Sequence, residues 1–175
     1  DPGRLRGELT LANVSFSYEN AAAPALRNVS MRLAPGQFAA IVGESGSGKS
    51  TLLKMMLGFY KPQAGAVLYD GKNLSRLDPV KVRRQIGAVI QNGDLIQGNI
   101  YFNIMGADVE SDEQDAWEAA RIACVDEDIR RMPMGMMTFV PHGGGVFSGG
   151  QKQRMLIARA VSKKPRIILF DEATS

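Results

Sequence analysis

Gly43-Glu44-Ser45-Gly46-Ser47-Gly48-Lys49-Ser50-Thr51 is the stretch on which the fold turns. It matches G-x-x-x-x-G-K-[ST], with the apolar run Phe38-Ala39-Ala40-Ile41-Val42 before it and a helical pattern from about Lys49 to Leu57 after it. Buried strand, glycine loop, helix is the order in which this pattern binds phosphate. Glycines let successive backbone N–H groups point into one concavity, and the helix N-terminus adds partial positive charge. Lys49 is then expected to reach the β- and γ-phosphates of a nucleotide, and the Ser50 hydroxyl to ligate Mg²⁺. A flexible Gly/Ser loop matching by chance would lack the flanking elements.

Outward from this loop the sequence alternates strands and helices. Residues 8–18 alternate apolar and polar, as a half-buried strand does, and Ala25–Leu33 reads as a second strand closed by Ala34-Pro35-Gly36. Pro62 and Gly65 are expected to break the chain before a short strand, Ala66–Tyr69, and the Asp70-Gly71 turn. Asp78-Pro79 starts a helix, and Ile86–Ile90 reads as a buried strand. From about Gln91 the texture turns helical. Ser111-Asp112-Glu113-Gln114 reads as a capping box, backed by Trp117, Ala120, Ile122 and Cys124, with Cys124 expected as a buried thiol. A second box, Ser148-Gly149-Gly150-Gln151, opens a helix running to Lys163-Lys164, where Pro165 stops it. Ile167–Phe170 is a last buried strand.

Two further segments carry chemistry. In Arg166-Ile167-Ile168-Leu169-Phe170-Asp171-Glu172 a carboxylate pair follows a hydrophobic strand, at the sheet end where α/β folds bind ligands. Asp171 is expected to hold Mg²⁺ as the partner of Ser50, and Glu172 to act as general base toward an attacking water. Alone, the pair would read as a helix cap. Phe147-Ser148-Gly149-Gly150-Gln151-Lys152-Gln153-Arg154 resembles the LSGGQ signature of ABC ATPases, with Phe in place of Leu. Between a phosphate loop and an acidic strand, that motif is specific.

The resemblance covers the chain from about residue 8. It implies a P-loop NTPase fold of the α/β class, in which a RecA-like core with an N-terminal antiparallel β part (8–91 and 165–175) carries a helical subdomain (92–164). It makes Gln91 the Q-loop contact to Mg²⁺ and water, and Tyr18 the aromatic that stacks on adenine; without the family, Tyr18 would read as core packing. It implies that two such domains dimerise head to tail around ATP and Mg²⁺. Ser148, Gly149, Gly150 and Gln151 then complete the pocket of the second subunit, and closure drives a transmembrane domain on the same or a partner chain.

Asp94–Ile104 is similar to the exporter pattern. Pro141-His142 replaces the Gly-Glu of the exporter x-loop, and the Met-Pro-Met-Gly-Met run (132–136) looks like bacteriocin or peptide export ATPases. The Met residues 132, 134, 136 and 137 read equally well as an adaptable surface or as packing. His142 precedes the signature, so it is not the switch histidine of the family.

Composition fits a globular domain: 45% apolar, 22% charged, a net charge of +3 and one cysteine, with no run long enough to cross a bilayer. Scattered basic residues argue against a nucleic-acid surface. The opening Asp1-Pro2-Gly3-Arg4 and the ending Asp171–Ser175 read as cut ends of an excised piece, whose parent would work at the cytoplasmic face of the inner membrane. Two other readings remain open. A soluble ABC ATPase acting on DNA or ribosomes would share the motifs, although chromosome-type members separate them by a coiled coil. A regulatory module without hydrolysis would usually lack Glu172.

Overall fold

A computed structural model describes residues 1–90, 93–106, 112–145 and 147–171. They form two compact units, Asp1–Gln85 and Ile86–Ser175.

The first unit is built on an antiparallel sheet in the order β2-β1-β3-β4, with β1 Leu9–Phe16, β2 Leu26–Leu33, β3 Ala64–Tyr69 and β4 Lys72–Asn73. Alternation in β1 buries Leu9 and Leu11, an irregularity at Asn13 (φ +50°) then brings Val14 to the same face, and Val67 and Tyr69 of β3 join them. Helix α1, Lys49–Met56, adds Leu52, Leu53, Met55 and Met56 to the buried set. The Tyr69 hydroxyl donates to Met56 O at 2.8 Å, and burial raises its pKa well above the usual phenol value. Gly65 does not interrupt the chain ahead of β3, as its residue type suggests; it lies inside the strand. There its φ is +81°, and a Cβ would fall 2.2 Å from Ala12 O, so only glycine fits the irregular pairing opposite Asn13. Asp78 caps α2, Pro79–Arg83, through Val80 N at 2.9 Å.

The expectation for Phe38–Val42 needs correction. These residues form no strand, and Phe38 and Val42 are 91% and 88% exposed. A central strand is defined by ladder partners on both sides, and among the described residues none pairs with this run. Apolarity alone does not make a strand.

In the second unit β5, Ile86–Val89, pairs in parallel with β8, Ile167–Phe170. A short antiparallel pair brings β6, Gly98–Asn99, beside β7, Phe139–Val140, across the intervening helices. Helices α3 (Ile100–Met105), α4 (Glu113–Ile122), α5 (Asp126–Arg130) and α6 (Gly149–Val161) enclose a core that includes Leu95, Ile104, Ile129, Met136 and Met155. A Cβ on Gly87 would meet Ala160 O at 2.3 Å, so α6 lies directly on β5 because that position has no side chain. The N-cap of α4 is Asp112, which accepts from Asp115 N at 2.9 Å; Ser111, expected to cap it, lies outside the described residues.

The end of α4 also departs from expectation. Ile122 and Cys124 are exposed, and the buried face is Ala116, Ala119 and Ala120. Val125 N bonds to Ala120 O and Cys124 N to Arg121 O, both at 3.0 Å, which is a Schellman closure. Cys124 takes the left-handed position at φ +56°, turning its thiol outward. The methionines divide: Met136 is buried, Met132 packs partly against the core, and Met134 and Met137 are exposed. Helix α6 ends at Val161, short of Lys164, whose ammonium pairs with Asp115 and Glu118.

Candidate functional site

The phosphate loop belongs to the first unit. Gly48 caps α1 in the left-handed conformation, φ +94°, and a Cβ there would fall 2.5 Å from Ala25 O. Gly46 has φ +81°, and a Cβ on Gly43 would meet Ser47 Oγ at 2.7 Å. The three glycines therefore keep the concavity open by conformation or by close approach. Ser47 N turns back to Glu44 O at 3.2 Å, enclosing Ser45 in the same loop. Lys49 Nζ donates to Gly43 O (2.8 Å) and Glu44 O (2.7 Å), so the ammonium is held on the loop's own carbonyls. Ser50 follows in the first turn of α1, beside the buried Thr51.

Tyr18 reaches this turn. Its hydroxyl and Thr51 Oγ1 are 2.9 Å apart, and its ring meets Phe16 and Tyr60 edge-on at 5.1 and 5.5 Å. Phe16 and Tyr60 stack at 5.1 Å, giving a three-ring cluster whose Tyr18 member stays 40% exposed. Tyr60 was missed from sequence, since no spacing relates it to Tyr18. An exposed ring fixed to the loop helix suits base stacking, a contact worth about 1–3 kcal/mol whatever the base. Tyr18→Ala should weaken ATP and GTP alike, with GTP competing within about tenfold of ATP, roughly 1.4 kcal/mol. Unchanged affinity in a competition titration would leave Tyr18 as a packing residue only.

The second unit carries the remaining candidate residues. Parallel β5 and β8 end side by side, with Val89 opposite Phe170, so Ile90 and Asp171 leave the sheet at the same end. Asp171 is buried, and its N–H donates to Val89 O at 2.8 Å. Gln91 and Glu172, expected to follow these strands with the Q-loop and base roles, lie outside the described residues.

Ser148 caps α6 in the expected reciprocal box. Ser148 Oγ accepts from Gln151 N (3.2 Å), and Gln151 Oε1 from Ser148 N (3.0 Å). Gly149 borders open space. The segment after Gln91 is tied to the same helix at two points. Lys152 Nζ meets Asp94 Oδ1 at 2.6 Å, and Arg159 donates to Asp94 O, Asn103 O and Asn103 Oδ1. Residues 152 and 159 are two turns apart on one helix face. Bonding from Lys152, and then from Leu95 N–H, holds the Asp94 carboxyl below the usual range; His142 adds a smaller effect.

The residues suit the expected ligands. Cβ-excluding glycines and a helix N-terminus make an anion cradle, while a hydroxyl (Ser50) and a carboxylate (Asp171) are the hard oxygen donors that Mg²⁺ prefers. Among the described residues no helix is long and apolar enough to cross a membrane.

Comparison with known proteins gives a consistent result. A family model described as "ABC transporter" matches residues 26–175. The alpha-hemolysin translocation ATP-binding protein HlyB of Escherichia coli O157:H7 is 43% identical over 98% of this chain and 24% of its own length. The cyclolysin secretion/processing ATP-binding protein CyaB of Bordetella pertussis is 42% identical over the same shares. A solved structure of a bacterial Atm1-family ABC exporter with ATP bound superposes with a TM-score of 0.90 at 37% identity, over 97% of this chain and 29% of that one. The chain thus spans about a quarter of the length of the curated relatives it matches.

Proposed function

The chain belongs to the ABC transporter family of ATPases, with its P-loop α/β fold, and on that premise we propose that it binds and hydrolyses ATP to drive a polypeptide exporter. The observation that supports this best is that the chain carries both a glycine-built phosphate loop on α1 and a capped, glycine-opened N-terminus on α6. Each is an anion site, and a nucleotide between two subunits needs both.

In this reading Gly43–Thr51 cradle the phosphates, Lys49 neutralises the β- and γ-oxygens, and Tyr18 stacks on the base. Ser50, Asp171 and Gln91 would hold Mg²⁺, which when bound offsets charge on the phosphate oxygens. Glu172 takes a proton from the attacking water. Ser148, Gly149, Gly150 and Gln151 face the ATP of a second, head-to-tail subunit. Division into a core (8–91 and 165–175) and a helical subdomain (92–164) suits this cycle. A transmembrane domain, fused or separate, would receive the motion at the cytoplasmic face of the inner membrane. The relatives' names speak of toxin translocation and secretion; a secreted toxin, bacteriocin or other peptide is the cargo class we infer.

Cross-linking tests the head-to-tail arrangement. Full-length protein in lipid nanodiscs carrying Ser45→Cys and Gly149→Cys in a Cys124→Ser background should form an intersubunit disulfide with ATP and none without. A cross-link from Ser45→Cys alone would mean that like loops meet, against this reading.

A further inference from the structure

Helix α6 is capped from within, and the cap is in turn held from outside. The capping box satisfies the N–H groups of Ser148 and Gln151, so those of Gly149 and Gly150 are the first-turn donors it leaves to a ligand. The box requires one orientation of the Gln151 amide, with Oε1 toward Ser148 N. Asp128 of α5 imposes it: Gln151 Nε2 donates to Asp128 Oδ1 at 3.0 Å. An ionised carboxylate only accepts, so it selects the NH₂ end and turns the oxygen toward the serine. A flipped amide would put an NH₂ against a backbone N–H and face an oxygen toward a carboxylate.

Asp128 also holds a second signature side chain. Its Oδ2 takes Arg154 Nη2 at 2.7 Å, and Arg154 Nη1 lies 3.6 Å from where a Gly150 Cβ would stand. One carboxylate therefore fixes the two side chains that flank the glycines. The bonds from Gln151, and then from Arg154, keep its own carboxyl below the usual range.

We propose that Asp128 is a positioning residue for the phosphate-facing turn of α6, acting through Gln151 to keep the Gly149 and Gly150 N–H groups aimed at ATP. This rests on the ATPase reading above. Asp128 and Arg154 side chains are 26% and 37% exposed, so the pair is partly buried and its loss can also act on stability. A fall in turnover with the melting temperature unchanged separates positioning from stability.

The test is steady-state phosphate release by the full-length protein in nanodiscs, with melting temperature followed in parallel. Asp128→Ala should lower kcat about tenfold while KM for ATP stays within twofold, and Asp128→Glu should restore most of kcat. In a Gln151→Ala background, Asp128→Ala should change kcat less than twofold. Wild-type kcat in Asp128→Ala, or losses from Asp128→Ala and Gln151→Ala that multiply, would overturn the proposal. No phosphate release from the wild type would overturn the ATPase reading with it.

Discussion

Lys49→Ala is expected to lower ATP affinity at least about 100-fold, or about 2.7 kcal/mol. Hydrogen bonds between charged groups contribute roughly 1.5–3 kcal/mol each, and the ammonium is placed to make such bonds to phosphate oxygens. It waits on Gly43 O and Glu44 O, so nucleotide meets a cation already inside the loop. Lys72→Ala is the matched control. Lys72 Nζ donates to Pro2 O at 2.9 Å, away from the loop, and its loss should leave affinity within twofold. A fluorescent-nucleotide titration of the three proteins decides the matter. Equal affinity for wild type and Lys49→Ala would mean that the backbone cradle alone holds phosphate.

Elements that depend on near neighbours in sequence were legible before the structure. The strand Leu9–Phe16, the Asp78 cap and the Ser148–Gln151 box each follow from residues a few positions apart, and all are present, although the strand's alternation breaks at Asn13. Elements that depend on distant partners were not. Phe38–Val42 has the composition of a central strand, yet a strand exists only with a ladder partner. Gly65 reads as a breaker until the approach of Ala12 O gives the reason for it. Cys124 falls at the end of an apolar period, but the Schellman closure of α4 turns it outward. Within the candidate site the phosphate loop and the signature were readable as motifs. The side chains that hold them were not, because Asp128 is 23 positions from Gln151 and Tyr18 is 33 from Thr51. Nothing in a local pattern relates such residues.

Glu172→Gln should give the converse of Lys49→Ala, with ATP bound and hydrolysis lost. Parallel pairing with β5 brings β8 to a defined end at Phe170, and Asp171 N–H continues the ladder to Val89 O. The chain therefore leaves the sheet with one buried carboxylate anchored, and Glu172 comes next. Our reading gives the two acids different tasks: Asp171 serves Mg²⁺, and Glu172 removes a proton from water. Glutamine keeps the size of glutamate, but exchanges one accepting oxygen for a donating NH₂ and cannot take a proton. Loss of a positioned general base costs about 10²–10⁴-fold in rate, so kcat should fall at least about 100-fold. Affinity for ATP should stay within threefold, because Gly43–Thr51 are untouched. Asp171→Asn should instead make ATP binding less dependent on Mg²⁺. Phosphate release and nucleotide titration on the same preparations separate these outcomes. If Glu172→Gln turned over at the wild-type rate, the base would have to be another group, and the division of labour between the two carboxylates would fall.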